Sequence, residues 1–249
     1  PMVQALGDKY GADIRILNMD SFPLSSTAVR RAVRLGLPFG DMVTNGVEAY
    51  IKSEGLYKDM AVDIPTEDIL QYIQKLSNKR LSHTFGVEKA AILLAENHYP
   101  SLDTRLVSAA ALLHDCTKEL DAEGHRAIAE EYGVCFDEIT ASTLKLQHAV
   151  TGAAVAEKRF GLPEAAQAIL THTTAAPDMN PLAKIIYLAD FIELGRKDEL
   201  CISVREEYFK NLAENKETAI DKTLLFALDE SIKALNEEYA PELEMYLGK

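Results

Sequence analysis

The chain is poor in cysteine: among its 249 residues there are three, Cys116, Cys135 and Cys201. They are scattered, odd in number and nowhere arranged as C-x-x-C. That excludes a disulfide framework and a thiolate zinc cage, and it fits a reducing cytoplasm. Long apolar runs are also missing, since no stretch approaches the roughly 20 apolar residues that span a bilayer. The opening residues lack the basic-then-apolar pattern of a secretory signal, so a cytoplasmic location is expected. Positive charge is in deficit, with 26 Lys and Arg against 39 Asp and Glu and a formal charge of -13. A field of that sign disfavours nucleic acid and anionic membrane surfaces as partners. An anionic small substrate stays open if cations are concentrated locally, and a metal ion would be a strong one. Strands are scarce as well: Asp13 to Leu17 is the one convincing strand. Neither internal repeats nor low-complexity tracts occur.

What is present is helix-forming sequence, with 47% apolar residues to build a core. Ser25 or Ser26 can cap a helix that carries Val29, Val33 and Leu35 and stops at Gly36. A short helix from about Val47 to Glu54 stops at Gly55. A charged linker, about Lys58 to Pro65, follows. Beyond it the pattern predicts helices over Thr66 to Leu76, Arg80 to Asn97, and Thr104 to about Lys118 with Asp103 as cap. Asp121 caps a segment ending at Gly133. Glu138 to Leu146, Ala149 to Phe160 and Pro163 to Thr171 come next. Asn180-Pro181 is a cap followed by proline at the first helical position, opening Leu182 to Glu193. A last segment, about Glu206 to Tyr239, places Leu224, Leu225, Leu228, Ile232 and Leu235 at mostly helical spacing, the pattern of a core or packing face. The expected architecture is an all-α domain over residues 60–249, preceded over residues 1–59 by a small α/β piece too short to make its own core.

The chemistry centres on His114-Asp115, where the apolar segment Leu106 to Leu113 ends. A neutral imidazole beside a carboxylate is half of a divalent metal site. The pair alone is an ordinary helix end; its company gives it weight. His83 shares a helix face with Arg80. His148 opens an Ala-rich helix, and His172 lies just past another. Asp190 sits within the apolar run Ile185 to Ile192, where a carboxylate is costly to bury unless paired or bound to a cation. The remaining histidines, His98 and His125, stand in polar surroundings and read as surface residues. A helix start with Ser26, Thr27 and Arg30 is, separately, a plausible phosphate seat.

Two resemblances follow from these residues. Leu24-Ser25-Ser26-Thr27-Ala28-Val29-Arg30, Gly36-Leu37-Pro38, Val47-Glu48-Ala49-Tyr50-Ile51 and Gly55-Leu56-Tyr57 resemble the C-terminal end of bacterial nicotinate-nucleotide adenylyltransferase. That resemblance implies that Ser26, Thr27 and Arg30 are relics of an ATP-phosphate site. The H-x-G-H motif of that family occurs nowhere in the chain, so its activity does not carry over, and the segment looks like the tail of a longer fusion. The order His83, His114-Asp115, Asp190 resembles the HD-domain superfamily of metal-dependent phosphohydrolases. With Arg80-Leu81-Ser82-His83, Leu112 to Lys118, Gln147 to Ala153, His172-Thr173-Thr174 and Lys184 to Glu193, the likeness narrows to the YqeK family of symmetrical bis(5'-nucleosyl)-tetraphosphatases. Cys116 departs from it, standing where that family more often has an aliphatic residue.

The second resemblance implies an HD-domain helical bundle that hydrolyses diadenosine tetraphosphate to two ADP. It implies His83, His114, Asp115 and Asp190 as ligands of a divalent metal, with iron favoured; the donor types themselves suit iron, manganese, cobalt or zinc alike. Asp115 and Lys118 are the expected catalytic residues. Arg80, Lys118, His148, His172, Thr173, Lys184 and Arg196 are the candidates for binding the substrate, with His148 and His172 alternatively serving a second metal. A homodimer is compatible with this reading. The rivals are another HD-type nucleotide phosphohydrolase and a non-catalytic nucleotide-binding regulatory module.

Overall fold

The computed structural model describes residues 25–58 and 63–246, with side chains to residue 236. The expected strand at Asp13 to Leu17 lies outside these residues. Every regular element among them is helical. Two short helices come first, α1 (Ser26–Leu35) and α2 (Asn45–Ser53). Then follow α3 (Thr66–Ile73), α4 (Asn78–His98), α5 (Thr104–Leu113), α6 (Ala122–Tyr132), α7 (Glu138–Ser142) and α8 (Leu144–Ala154). The last four are α9 (Pro163–Thr171), α10 (Pro181–Ile192), α11 (Glu199–Glu214) and α12 (Lys216–Tyr246).

Capping chemistry sets most of the boundaries. The side chains of Ser25, Asp103, Asp121, Asn180 and Asp198 each accept a hydrogen bond from a first-turn amide of the helix that follows, supplying an acceptor the helix cannot provide itself. Gly36 ends α1 at φ 69°, a left-handed conformation open to glycine, and its amide returns to Ala32 and Val33.

α10 is the centre of the bundle. Leu182, Ala183, Ile185, Ile186, Tyr187, Leu188, Ala189 and Ile192 are all buried, as a helix whose only charged residues are Lys184 and Asp190 requires. It packs against α4, α9 and α11, while α5 packs on α4. The N-terminal helix joins the same core. Leu35 and Ile69 are fully buried within one continuous cluster, and the Asp103 amide donates to the Leu35 carbonyl at 3.1 Å. Arg31 reaches across to α9, donating to Glu164 at 2.6 Å and to the Gly161 carbonyl at 3.0 Å.

Four expectations about helices are corrected. α5 stops at Leu113 rather than near Lys118: from there Cys116, Lys118 and Leu120 each donate three residues back, a tightened turn. The segment expected at Glu138 to Leu146 is two helices parted at Thr143, whose φ of -121° and ψ of 92° are extended. α8 then begins before Ala149 and runs into a π-helical stretch, Val155–Arg159. The long C-terminal segment is the hairpin α11–α12, broken at Asn215, where extended backbone and a bond from the Glu217 amide to the Asn215 side chain start the second helix. Its apolar stripe is also not all core: Leu224 is buried, but Leu225 is 67% exposed, and Ile232 and Leu235 are exposed as well. The packed face runs instead through Ile220, Thr223, Leu224 and Ala227.

Candidate metal centre

Five elements bring six residues to one point. α4 supplies His83, the end of α5 and its turn supply His114 and Asp115, α8 supplies His148, the residue after α9 is His172, and α10 supplies Asp190. His114, Asp115, His148 and His172 are buried.

Asp115 is the hub. Its Oδ2 lies 3.6 Å from His83 Nε2 and 3.5 Å from His114 Nε2. Its Oδ1 lies 3.1 Å from His148 Nε2 and 3.5 Å from His172 Nε2. Each carboxylate oxygen therefore faces its own pair of imidazoles. His83, His114 and Asp115 form one group able to hold a metal ion, and Asp115, His148 and His172 form another. Asp190 extends the first group, with Oδ1 3.1 Å from His83 Nε2.

The tautomers follow from the other ring nitrogen. His114 Nδ1 faces the Ala111 carbonyl at 2.7 Å, His148 Nδ1 that of Lys145 at 2.8 Å, and His172 Nδ1 that of Ile169 at 2.6 Å. A carbonyl only accepts, so each Nδ1 donates and each Nε2 presents its lone pair to the centre. Yet His148 and His172 bring their Nε2 atoms within 3.1 Å, and His83 and His114 within 3.4 Å. Two lone pairs at that distance need a cation between them, a proton or a metal. The donor set of imidazole nitrogens and shared carboxylate fits a divalent transition metal on this observation.

The electrostatics point the same way. Burial alone would raise the Asp115 carboxyl, but His114, His148 and His172 hold it well below the usual carboxylate range. Burial opposes a charge on His114, yet Asp115 and Asp190 raise its proton affinity; a field that attracts a proton there attracts a metal ion too. Burial pushes His148 down to about 4 and keeps it neutral, the form that ligates.

Cations ring the centre. Arg80 Nη1 pairs with Asp115 Oδ2, while Arg80 Nε is buried without a partner among the described residues. Lys118 Nζ lies 3.0 Å from His148 Nε2 and 4.0 Å from Asp115 Oδ1, and burial lowers its pKa. Arg196 donates to Asp190 Oδ1 at 2.8 Å. A cavity of about 580 Å³ opens here, lined by Lys79, Arg80, Ser82, His83 and Arg196 among others.

Not every expected residue arrives. Lys184 is engaged elsewhere, with Nζ 2.6 Å from Asp221 on α12, because it occupies a face of α10 turned from Asp190. Thr173 follows His172 in the chain and is half-buried. Two histidines read as surface residues are not. His125 is 1% exposed, its Nδ1 2.9 Å from Thr151 Oγ1. His98 is half-buried, its Nε2 3.0 Å from the Tyr208 hydroxyl. Polar neighbours in sequence concealed the buried partner each one has. Sequence reasoning also missed Glu193, buried with Oε1 3.1 Å from His83 Nδ1. A glutamate three residues beyond Asp190, at the end of an apolar helix, was the available signal.

An all-helical bundle whose His, His-Asp and Asp meet at one buried centre defines an HD-domain hydrolase, and residues 80–194 match the HD domain family. The relatives make the assignment narrower. The chain is 30% identical over 167 residues to a symmetrical bis(5'-nucleosyl)-tetraphosphatase of Staphylococcus aureus, covering 66% of this chain and 84% of that one. A protein of the same description from Bacillus subtilis is 30% identical over 161 residues, covering 62% and 83%. A crystal structure described as a predicted HD superfamily hydrolase involved in NAD metabolism, from Clostridium acetobutylicum, superimposes with a TM-score of 0.60 at 31% identity, covering 70% of this chain and 88% of the other. The chain belongs to the family of HD-domain hydrolases to which these symmetrical bis(5'-nucleosyl)-tetraphosphatases belong.

Proposed function

We propose that this hydrolase cleaves diadenosine tetraphosphate symmetrically, with water, to two molecules of ADP. The observation that carries the reading is the sharing of Asp115 between two imidazole pairs, with Arg80, Lys118 and Arg196 around it. The names of the relatives support the substrate.

His83, His114, Asp115 and Asp190 would hold a divalent metal, and Asp115, His148 and His172 a second; iron is proposed, on family resemblance, among the ions this donor set suits. Such ions supply a better water nucleophile near neutral pH and polarise a phosphate oxygen. The chain's own cations do the rest. Arg80 offers a buried donor that nothing in the described residues uses. Lys118 stands beside Asp115, its ammonium partly desolvated, where negative charge builds on phosphate oxygens. Arg196 is anchored by Asp190 and faces the same cavity. The net charge of -13 makes this local concentration of cations the place for a polyanion to bind.

We further propose that the first 59 residues derive from an adenylyltransferase and that residues 60–249 carry the hydrolase. The description of the Clostridium acetobutylicum protein, which mentions NAD metabolism, is in keeping with that origin. Product chromatography tests the reaction. ADP as sole product from diadenosine tetraphosphate is expected; ATP with AMP would overturn the symmetrical cut, and no turnover would favour a nucleotide-binding role.

A further inference from the structure

We infer that Glu193 is a positioning residue of the metal centre, fixing the ring of His83 so that Nε2 faces Asp115 and Asp190. The inference rests on His83 being a ligand, as proposed above.

Glu193 follows α10 and is 4% exposed. Its Oε1 lies 3.1 Å from His83 Nδ1, and with a carboxylate oxygen as acceptor Nδ1 is the donor and Nε2 is left for a cation. Its Oε2 accepts from the Gly195 amide at 2.5 Å. The backbone beneath it is held as well. Arg205 donates from Nη2 to the Glu193 carbonyl at 2.6 Å and from Nε to the Ile192 carbonyl at 2.8 Å.

Two glycines make room for this carboxylate. A Cβ on Gly86, three residues along α4 from His83, would overlap Glu193 Oε2, and one on Gly195 would stand 2.8 Å from the same atom. The packing thus admits a carboxylate against the ring at the expense of two side chains. His83 needs such a device more than the other imidazoles. His114, His148 and His172 are each oriented by a carbonyl three residues back in the chain, whereas the Nδ1 partner of His83 comes from another helix end, 110 residues away.

The test uses the full chain, stripped of metal and titrated with zinc, which is diamagnetic. Calorimetry gives the affinity, and nitrogen-15 spectra of the imidazoles show whether His83 Nδ1 keeps its proton. Melting curves report folding. In Glu193→Ala the affinity is expected to fall about 10- to 100-fold, with loss of the slowly exchanging Nδ1 proton. Glu193→Gln, which retains an acceptor, recovers that proton. Gly86→Ala removes no donor or acceptor and only crowds the carboxylate; it shifts both readouts in the direction of Glu193→Ala. Wild-type affinity and proton pattern in whichever of Glu193→Ala and Gly86→Ala folds overturns the inference while leaving the metal reading intact. Failure of the wild-type chain itself to bind zinc overturns the metal reading, and this inference with it.

Discussion

His148 Nε2 lies 3.1 Å from Oδ1 of Asp115, the oxygen that His83 and His114 do not face. The carboxylate is therefore shared between two halves of one centre, and the halves are expected to be separable by mutation. His148→Ala or His172→Ala is expected to lower bound metal per chain without abolishing it, because the His83–His114 side keeps its donors. Metal analysis of the purified variants checks this; complete loss in both would show a single indivisible site.

Lys118 is proposed to bind phosphate without holding metal, and the two roles can be told apart. It contacts His148 and Asp115 but, as a cation, is no ligand. Lys118→Met is expected to lower kcat about 10²- to 10³-fold with metal content unchanged. Steady-state kinetics beside elemental analysis checks it; loss of metal in step with rate would make Lys118 structural.

Much of this was legible before any fold. Asp121 and Gly133, and Asn180 before Pro181, bound their helices where capping chemistry puts them, because those signals act within one turn. His114-Asp115 stood out at the end of an apolar helix and Asp190 within an apolar run, where ionisable groups demand partners, and His83 through the face it shares with Arg80. What was hidden depends on contacts distant in the chain. Lys184, a candidate substrate cation, is paired with Asp221 on α12, a partner 37 residues away that the spacing within α10 does not reveal. His125 looked solvated until α6 packed on α8 and set it against Thr151. The break at Asn215 and the exposure of Leu225 reflect which face of a hairpin meets the bundle, which helical spacing alone leaves open.

Arg31 tethers the N-terminal helix to the bundle through Glu164, whose other oxygen, Oε2, is buried without a partner among the described residues. Arg31→Met should strand that carboxylate and lower stability by about 1–3 kcal/mol. Adding Glu164→Leu should recover part of the loss. Denaturant melts of the two single variants and the double variant check the coupling; strictly additive losses would make the pair incidental.

The cysteines differ sharply in access. Cys116 and Cys201 are buried, and burial pushes both thiols up to about 12, so neither supplies thiolate near neutral pH. Cys135 is exposed. One equivalent of a thiol reagent should react with the native chain, at Cys135, and three after unfolding. Peptide mapping of the labelled protein checks the site; fast labelling of Cys116 in the native state would contradict its burial beside Asp115.

The most direct test of the centre is the metal content of Asp115→Ala beside the wild type, with diadenosine tetraphosphate hydrolysis followed on the same samples. Because all four imidazoles converge on this one carboxylate, metal and turnover are predicted to vanish together in a chain that still melts cooperatively. Unchanged metal content in folded Asp115→Ala would contradict the assignment.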